Sequence, residues 1–211
     1  MITDFLLPGV VFGLTAGLSP GPLLTLVISE TLMWGRKSGI KVALAPLFTD
    51  IPIILITILI FSHLKGLDTI LGTISIFGGI FLVYLGYQNL RINETNFEIK
   101  KTKMRSLHKG IFVNALNPHP YIFWFSVGGP FLIKDDLWAS GSFLLGFYLF
   151  LIGSKVGIAV IADRGKTVLK SHYFIWSVRI LGILLFIYAI ILIRDGIACF
   201  LHIKLDFIIG L

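Results

Sequence analysis

Ser19-Pro20-Gly21-Pro22 interrupts an apolar stretch that runs from Phe5 to about Met33. The reading of these four residues decides the fold. A water-soluble helix would end there. Inside a bilayer, Pro20 and Pro22 each remove an N–H, so the carbonyls of Ala16 and Leu18 need other partners where no water supplies them. Such a break is tolerated only beside a cavity or against neighbouring helices. The pattern returns as Asn117-Pro118-His119-Pro120, again within an apolar segment and again with a small polar residue ahead of Pro-x-Pro. Interrupted membrane helices at corresponding places in two halves of a chain point to a transporter's binding site.

Working outward, the composition agrees with a membrane protein. The 211 residues are 56% hydrophobic and 14% charged, with a mean hydropathy of +0.92. Soluble domains are far less apolar. The net charge of +7 comes from basic residues in short runs between apolar segments, which read as membrane orientation signals and not as a nucleic-acid surface. A lone Cys199 excludes an internal disulfide and a CxxC redox pair. The start carries Asp4 where a signal peptide has a basic region, and its apolar stretch is too long for one, so it is expected to remain as the first membrane helix.

A bilayer core takes about 20 apolar residues per helix. Six segments meet this, near residues 5–33, 40–61, 67–90, 110–133, 137–161 and 173–200. The expected fold is an all-α membrane protein, a single transporter domain spanning 1–211. It consists of a first repeat over 1–90, a cytoplasmic loop over 91–109 and a second repeat over 110–211, with helices one and four broken at their Pro-x-Pro motifs. Three helices per half make the second repeat inverted. Weak self-similarity accompanies this: Gly79-Ile80, Leu82, Tyr84 and Arg91 are echoed by Gly182-Ile183, Leu185, Tyr188 and Arg194. Loops one-two, three-four and five-six with their helix ends hold 13 of the 18 Lys and Arg residues, and the opposite side holds only Lys65, Lys134, Arg194 and Lys204. Both termini are therefore expected on the outside.

Glycines mark close helix approaches. Gly72, Gly79 and Gly86 recur every seventh residue on one face of segment three, and Gly153 with Gly157 forms a GxxxG in segment five. These read as packing devices, and such faces also permit a homodimer.

The polar groups within the apolar segments carry the chemistry. Asp50, between Pro46 and Pro52, is the most deeply placed carboxylate. A charge at such depth faces a cavity, pairs, or changes protonation, so Asp50 is the candidate proton carrier or the partner of a substrate amine. Lys155 in segment five is its candidate ion-pair partner; alternatively it snorkels to the interface. Glu30 reads as a solvated end residue. At a helix break, exposed N–H groups attract a carboxylate and exposed carbonyls attract an ammonium or a cation. Ser19, Pro20, Gly21, Pro22, Asn114, Asn117, Pro118 and His119 are accordingly the candidate substrate-binding residues. Ser19 and Asn117 also fit as local caps of the broken backbone. His119 titrates near neutral pH and reads as a proton carrier, a cation ligand or a hydrogen-bonding group within the break. Asp50 and His119 are too few for a metal site, and no cofactor is expected. Phe123, Trp124 and Phe125 read mainly as lipid-facing or packing residues, with room for one to close over a ligand.

Taken together, SPGP in the first helix, a Gly-rich turn (Gly35-Arg36-Lys37-Ser38-Gly39) ahead of Asp50, the stretch GGIFLVYLGYQNLR from Gly78 to Arg91 and the Asn117-Pro118 pair resemble the lysine exporter (LysE/RhtB) family. The resemblance extends over nearly the whole chain. It implies export of amino acids or their derivatives by proton antiport from the cell inner membrane, with Pro20, Gly21, Pro22, Asp50, Asn117 and Pro118 at the site. One position departs: the family commonly reads Asn-Pro-Lys, and this chain has His119 after Pro118. A titratable ring in place of a permanent cation leaves a cation, metal or other small-solute exporter of the same superfamily open. The rival from another class is an intramembrane enzyme using Ser19, His119 and Asp50 as nucleophile, base and orienter. No GxSxG elbow surrounds Ser19, and matched breaks are explained without chemistry. The expected partners are a small amino-acid substrate, protons and the lipid bilayer.

Overall fold

The computed structural model describes residues 2–63, 68–91, 105–133, 137–164 and 172–201, and all regular structure among them is helical. Residues 92–104 of the expected cytoplasmic loop lie outside the described residues, as do Lys65, Lys134, Lys166, Lys170, Lys204 and the side chain of Cys199.

Helix α1 (Ile2–Leu18) stops at the first break, and α2 (Pro22–Trp34) begins beyond it with Pro22 as its first residue. Proline suits that position because its missing N–H would have had no partner there. The two helices meet at 58°. Gly35, at φ +80°, ends α2 by donating its N–H to the Thr31 carbonyl (2.8 Å), then leads directly into α3 (Arg36–Ala43). This left-handed geometry favours glycine. A turn at Leu44-Ala45 leads to α4 (Pro46–His63), followed by α5 (Asp68–Leu90).

The fourth apolar segment is not one helix. It is divided into α6 (Ser106–Ala115), α7 (Pro118–Phe123), a π-helical turn (Trp124–Gly128) and α8 (Gly129–Leu132). Helices α9 (Leu137–Asp163) and α10 (His172–Leu201) complete the described chain. Among the described residues, four stretches are long and apolar enough to cross a membrane: Arg36–Phe61, Gly72–Leu90, Leu137–Asp163 and Arg179–Ala198. The bent α1–α2 pair makes a fifth. The expected sixth differs because its longest piece, α6, has 10 residues, half of what a bilayer core takes.

Two glycine seams set the helix pairing. In the antiparallel α5–α10 pair, an added Cβ at Gly79 would lie 3.0 Å from the Ala189 carbonyl oxygen, one at Gly86 2.9 Å from that of Gly182, and one at Gly196 2.7 Å from that of Gly72. The sevenfold spacing of Gly72, Gly79 and Gly86 thus meets an equal spacing of small residues on α10. In the parallel α1–α9 pair, Gly9, Gly13 and Gly17 lie against the carbonyls of Phe143, Phe147 and Leu151. The expectation for Gly153 and Gly157 is corrected: a Cβ at either would meet nothing within 4 Å. The helix they belong to turns its other face to α1, so the pair packs nothing within the described chain.

The main core is centred between α1, α9 and the run from α7 to α8, and extends to α4, α5 and α10. It is built on Phe12, Phe123, Trp124, Phe131, Phe143 and Phe147. Phe131 stacks on Phe143 at 4.5 Å between centroids, and Phe123 on Phe147 at 5.1 Å. Of the two readings open for Phe123 and Trp124, lipid-facing or packing, the structure selects packing: both are buried against Phe147 of α9.

Candidate functional site

The two breaks face one cavity of about 120 Å³. Ser19, Pro20 and Gly21 line it from the first, and Asn117, His119 and Pro120 from the second; Asp50, Gln88, Asn114 and Lys155 supply further polar groups. Pro22 and Pro118 are not in the lining. They serve instead as the first residues of α2 and α7.

Asp50 is 3% exposed, and its carboxylate is held by three elements. Thr49 Oγ1, on the same helix, donates to Oδ1 at 3.1 Å, Asn114 Nδ2 from α6 donates to Oδ1 at 3.2 Å, and the Tyr148 hydroxyl from α9 donates to Oδ2 at 3.4 Å. Asn114 also donates to Thr49 Oγ1 at 2.6 Å. All these donors are neutral. They orient the carboxylate without cancelling its charge. The buried indole N–H of Trp124 faces Asp50 and completes no hydrogen bond among the described residues.

The expected direct pair of Asp50 and Lys155 is corrected. Lys155, also 3% exposed, donates from Nζ to the carbonyls of Ala16 (2.9 Å) and Gly17 (3.1 Å). These carbonyls end α1, where Pro20 has no N–H for Ala16 and the 58° bend carries Gly21 away from Gly17, so the ammonium is drawn to the helix end and away from the carboxylate. Sequence reasoning identified Ala16 as an orphan; the second acceptor is Gly17, one residue before Leu18. Nor does Lys155 reach an interface.

The first break is tied to α5 through Ser19, whose Oγ donates to Asn89 Oδ1 at 3.0 Å. Across the gap, α2 starts at Gly21 with no side-chain cap, so the first amides of α2, on Leu23 and Leu24 of the cavity wall, receive nothing from a capping side chain. The second break is closed by its own residues. Asn117 Oδ1 accepts the His119 N–H at 3.1 Å and caps α7, while the Tyr121 hydroxyl donates to the Ala115 carbonyl at 2.7 Å and covers the end of α6. The His119 ring sits edge-on to Phe81 (5.9 Å) and Tyr84 (6.2 Å) of α5.

Glu30 is corrected as well. It is 1% exposed, paired with Lys109 Nζ at 2.5 Å and accepting from Ser106 Oγ at 2.6 Å. α2 and α6 pack together, which encloses a carboxylate that sequence position alone put at a wet helix end.

Tyr148, Asn89 and Gln88 were missed by sequence reasoning, and Trp124 was named only as one of three aromatics after the second break. Nothing in the sequence singles out Tyr148 among many aromatics. Asn89 and Gln88 fall at the polar end of a helix, where solvent exposure is the ordinary reading. Among the described residues, no three of His, Cys, Asp and Glu come together as a metal set.

No curated protein and no solved structure matches the chain. The family model described as LysE type translocator matches residues 14–196, a span that contains both breaks, Asp50 and Lys155. The chain therefore belongs to the LysE type translocator family of multi-pass membrane transporters that export small solutes.

Proposed function

We propose that this chain exports amino acids or amino-acid derivatives across the cell inner membrane by proton antiport. The observation that carries the reading is the convergence of two helix breaks on one cavity whose wall holds a buried carboxylate. The substrate ammonium pairs with Asp50, and the substrate carboxylate takes the uncapped amides at the start of α2. Ser19, Gly21, Asn117 and His119 offer neutral contacts around it. Asp50 releases its proton to bind the ammonium and is reprotonated as the substrate leaves. In this reading α1 with α2 forms the first span and the α6–α8 run the fourth. The pairing supports an inverted repeat: α1 lies along α9, α4 packs on α6 and α8, and α5 runs antiparallel to α10. Both termini face outward, following the distribution of Lys and Arg.

Counterflow of a panel of labelled amino acids in proteoliposomes, with and without an imposed pH gradient, tests this. Uptake of one class is expected, increased by the gradient. In Asp50→Asn the gradient-driven component is lost, by tenfold or more on the usual scale of removing a buried charged contact, while helix content is retained. Normal rate and normal gradient dependence in that variant would remove Asp50 from the carrier role.

A further inference from the structure

The end of α1 is built as a cation site, and the cation in it belongs to the chain. The last regular bond of α1 runs from the Ser19 N–H to the Thr15 carbonyl at 2.8 Å. Pro20 has no N–H to offer Ala16, and the bend of the break takes the chain away from Gly17. Both carbonyls instead accept from Lys155 Nζ, at 2.9 and 3.1 Å. Gly17 permits this approach, since a Cβ there would run into Ser154 Oγ, the residue next to Lys155. Asp50 lines the same cavity and has only neutral hydrogen-bond donors among the described residues, so Lys155 is the positive charge that balances it through space. At other membrane helix breaks, free carbonyls at the end of a half-helix bind a sodium ion or meet a proton.

The geometry points to Lys155 as a tethered cation that fills a monovalent-cation site formed by the Ala16 and Gly17 carbonyls, so that removing its side chain opens that site to free sodium. This assignment does not depend on which solute the cavity carries. A lysine that served instead as a ligand for a substrate carboxylate would leave no sodium response behind it.

The test compares thermal unfolding of the purified full chain in sodium chloride and in N-methyl-D-glucamine chloride at equal ionic strength. The parent protein and Lys155→Arg, which keeps a cation on the carbonyls, are expected to unfold at the same temperature in both salts. Lys155→Ala is expected to show a saturable rise of about 3 °C or more in sodium. Extraction of folded Lys155→Ala in sodium but not in N-methyl-D-glucamine would support the assignment equally. Equal midpoints of folded Lys155→Ala in the two salts would overturn it. So would failure of the variant to fold in either salt, since no free ion would then be replacing the ammonium. Neither readout involves transport, so loss of this assignment leaves the export reading standing.

Discussion

The two helix breaks share a motif and differ in closure. At the second, Asn117 caps the incoming helix and Tyr121 covers the outgoing one, both from within the same segment. At the first, the end of α1 is covered by Lys155, 138 residues away from Gly17, and the start of α2 has no side-chain cap. The difference traces to single residues. Asn117 places an amide oxygen where it can accept from the backbone two residues on, whereas Gly21 has nothing to place there. A Pro-x-Pro interrupts a helix; what flanks it decides whether the interruption is sealed or left open for a ligand.

The contrast is broken most severely at the joint that holds the two broken segments together. In Lys109→Met, Glu30 is left buried without its cation, and a loss of about 3–5 kcal/mol is expected. Thermal unfolding of the purified protein checks it, and the double variant Glu30→Gln with Lys109→Met should recover most of the loss. Full stability in the single variant would show that α2 and α6 do not depend on the pair.

Removing the seal of the second break is expected to matter less. Asn117→Ala forfeits the α7 cap and should lower stability by about 1 kcal/mol, read as a shift in denaturation midpoint. A null result would mean that Pro118 alone orders the start of α7.

The smallest stability effect and the sharpest comparison come from Gly21→Ser. Nothing lies within 4 Å of a Cβ at Gly21, and its backbone at φ −148°, ψ 178° is extended conformation open to any residue. Serine would cap α2 and make the first break resemble the second, with a gain of a few tenths of a kcal/mol. If substrate carboxylate uses those amides, half-saturation in counterflow should rise several-fold; unchanged half-saturation would place the carboxylate elsewhere.

The glycine seams show what local pattern carries and what it does not. The seven-residue spacing of Gly72, Gly79 and Gly86 was legible and correctly put on one face, where α10 packs. Gly9, Gly13 and Gly17 formed an equally regular signal, every fourth residue, that the sequence reading passed over, and they seat α1 on α9. Gly153 and Gly157 have the same spacing as neighbouring members of that series, yet a Cβ at either would meet nothing within 4 Å. Spacing identifies a face that permits close approach. It does not say whether a helix arrives there.

From the sequence alone came the helical membrane character, the two breaks, Asp50 as a carboxylate buried within an apolar segment and the selection of Ser19, Asn114, Asn117 and His119 as site candidates. These follow from hydropathy and from the missing N–H of proline, which act within a few residues of where they are read. Tertiary structure decided the partners: Lys155 on the carbonyls of α1, Tyr148 and Trp124 beside Asp50, and Glu30 enclosed with Lys109. A buried polar group must satisfy its charge or hydrogen bonds with whatever the fold brings within about 3 Å, and that neighbour is set by helix packing across the whole chain.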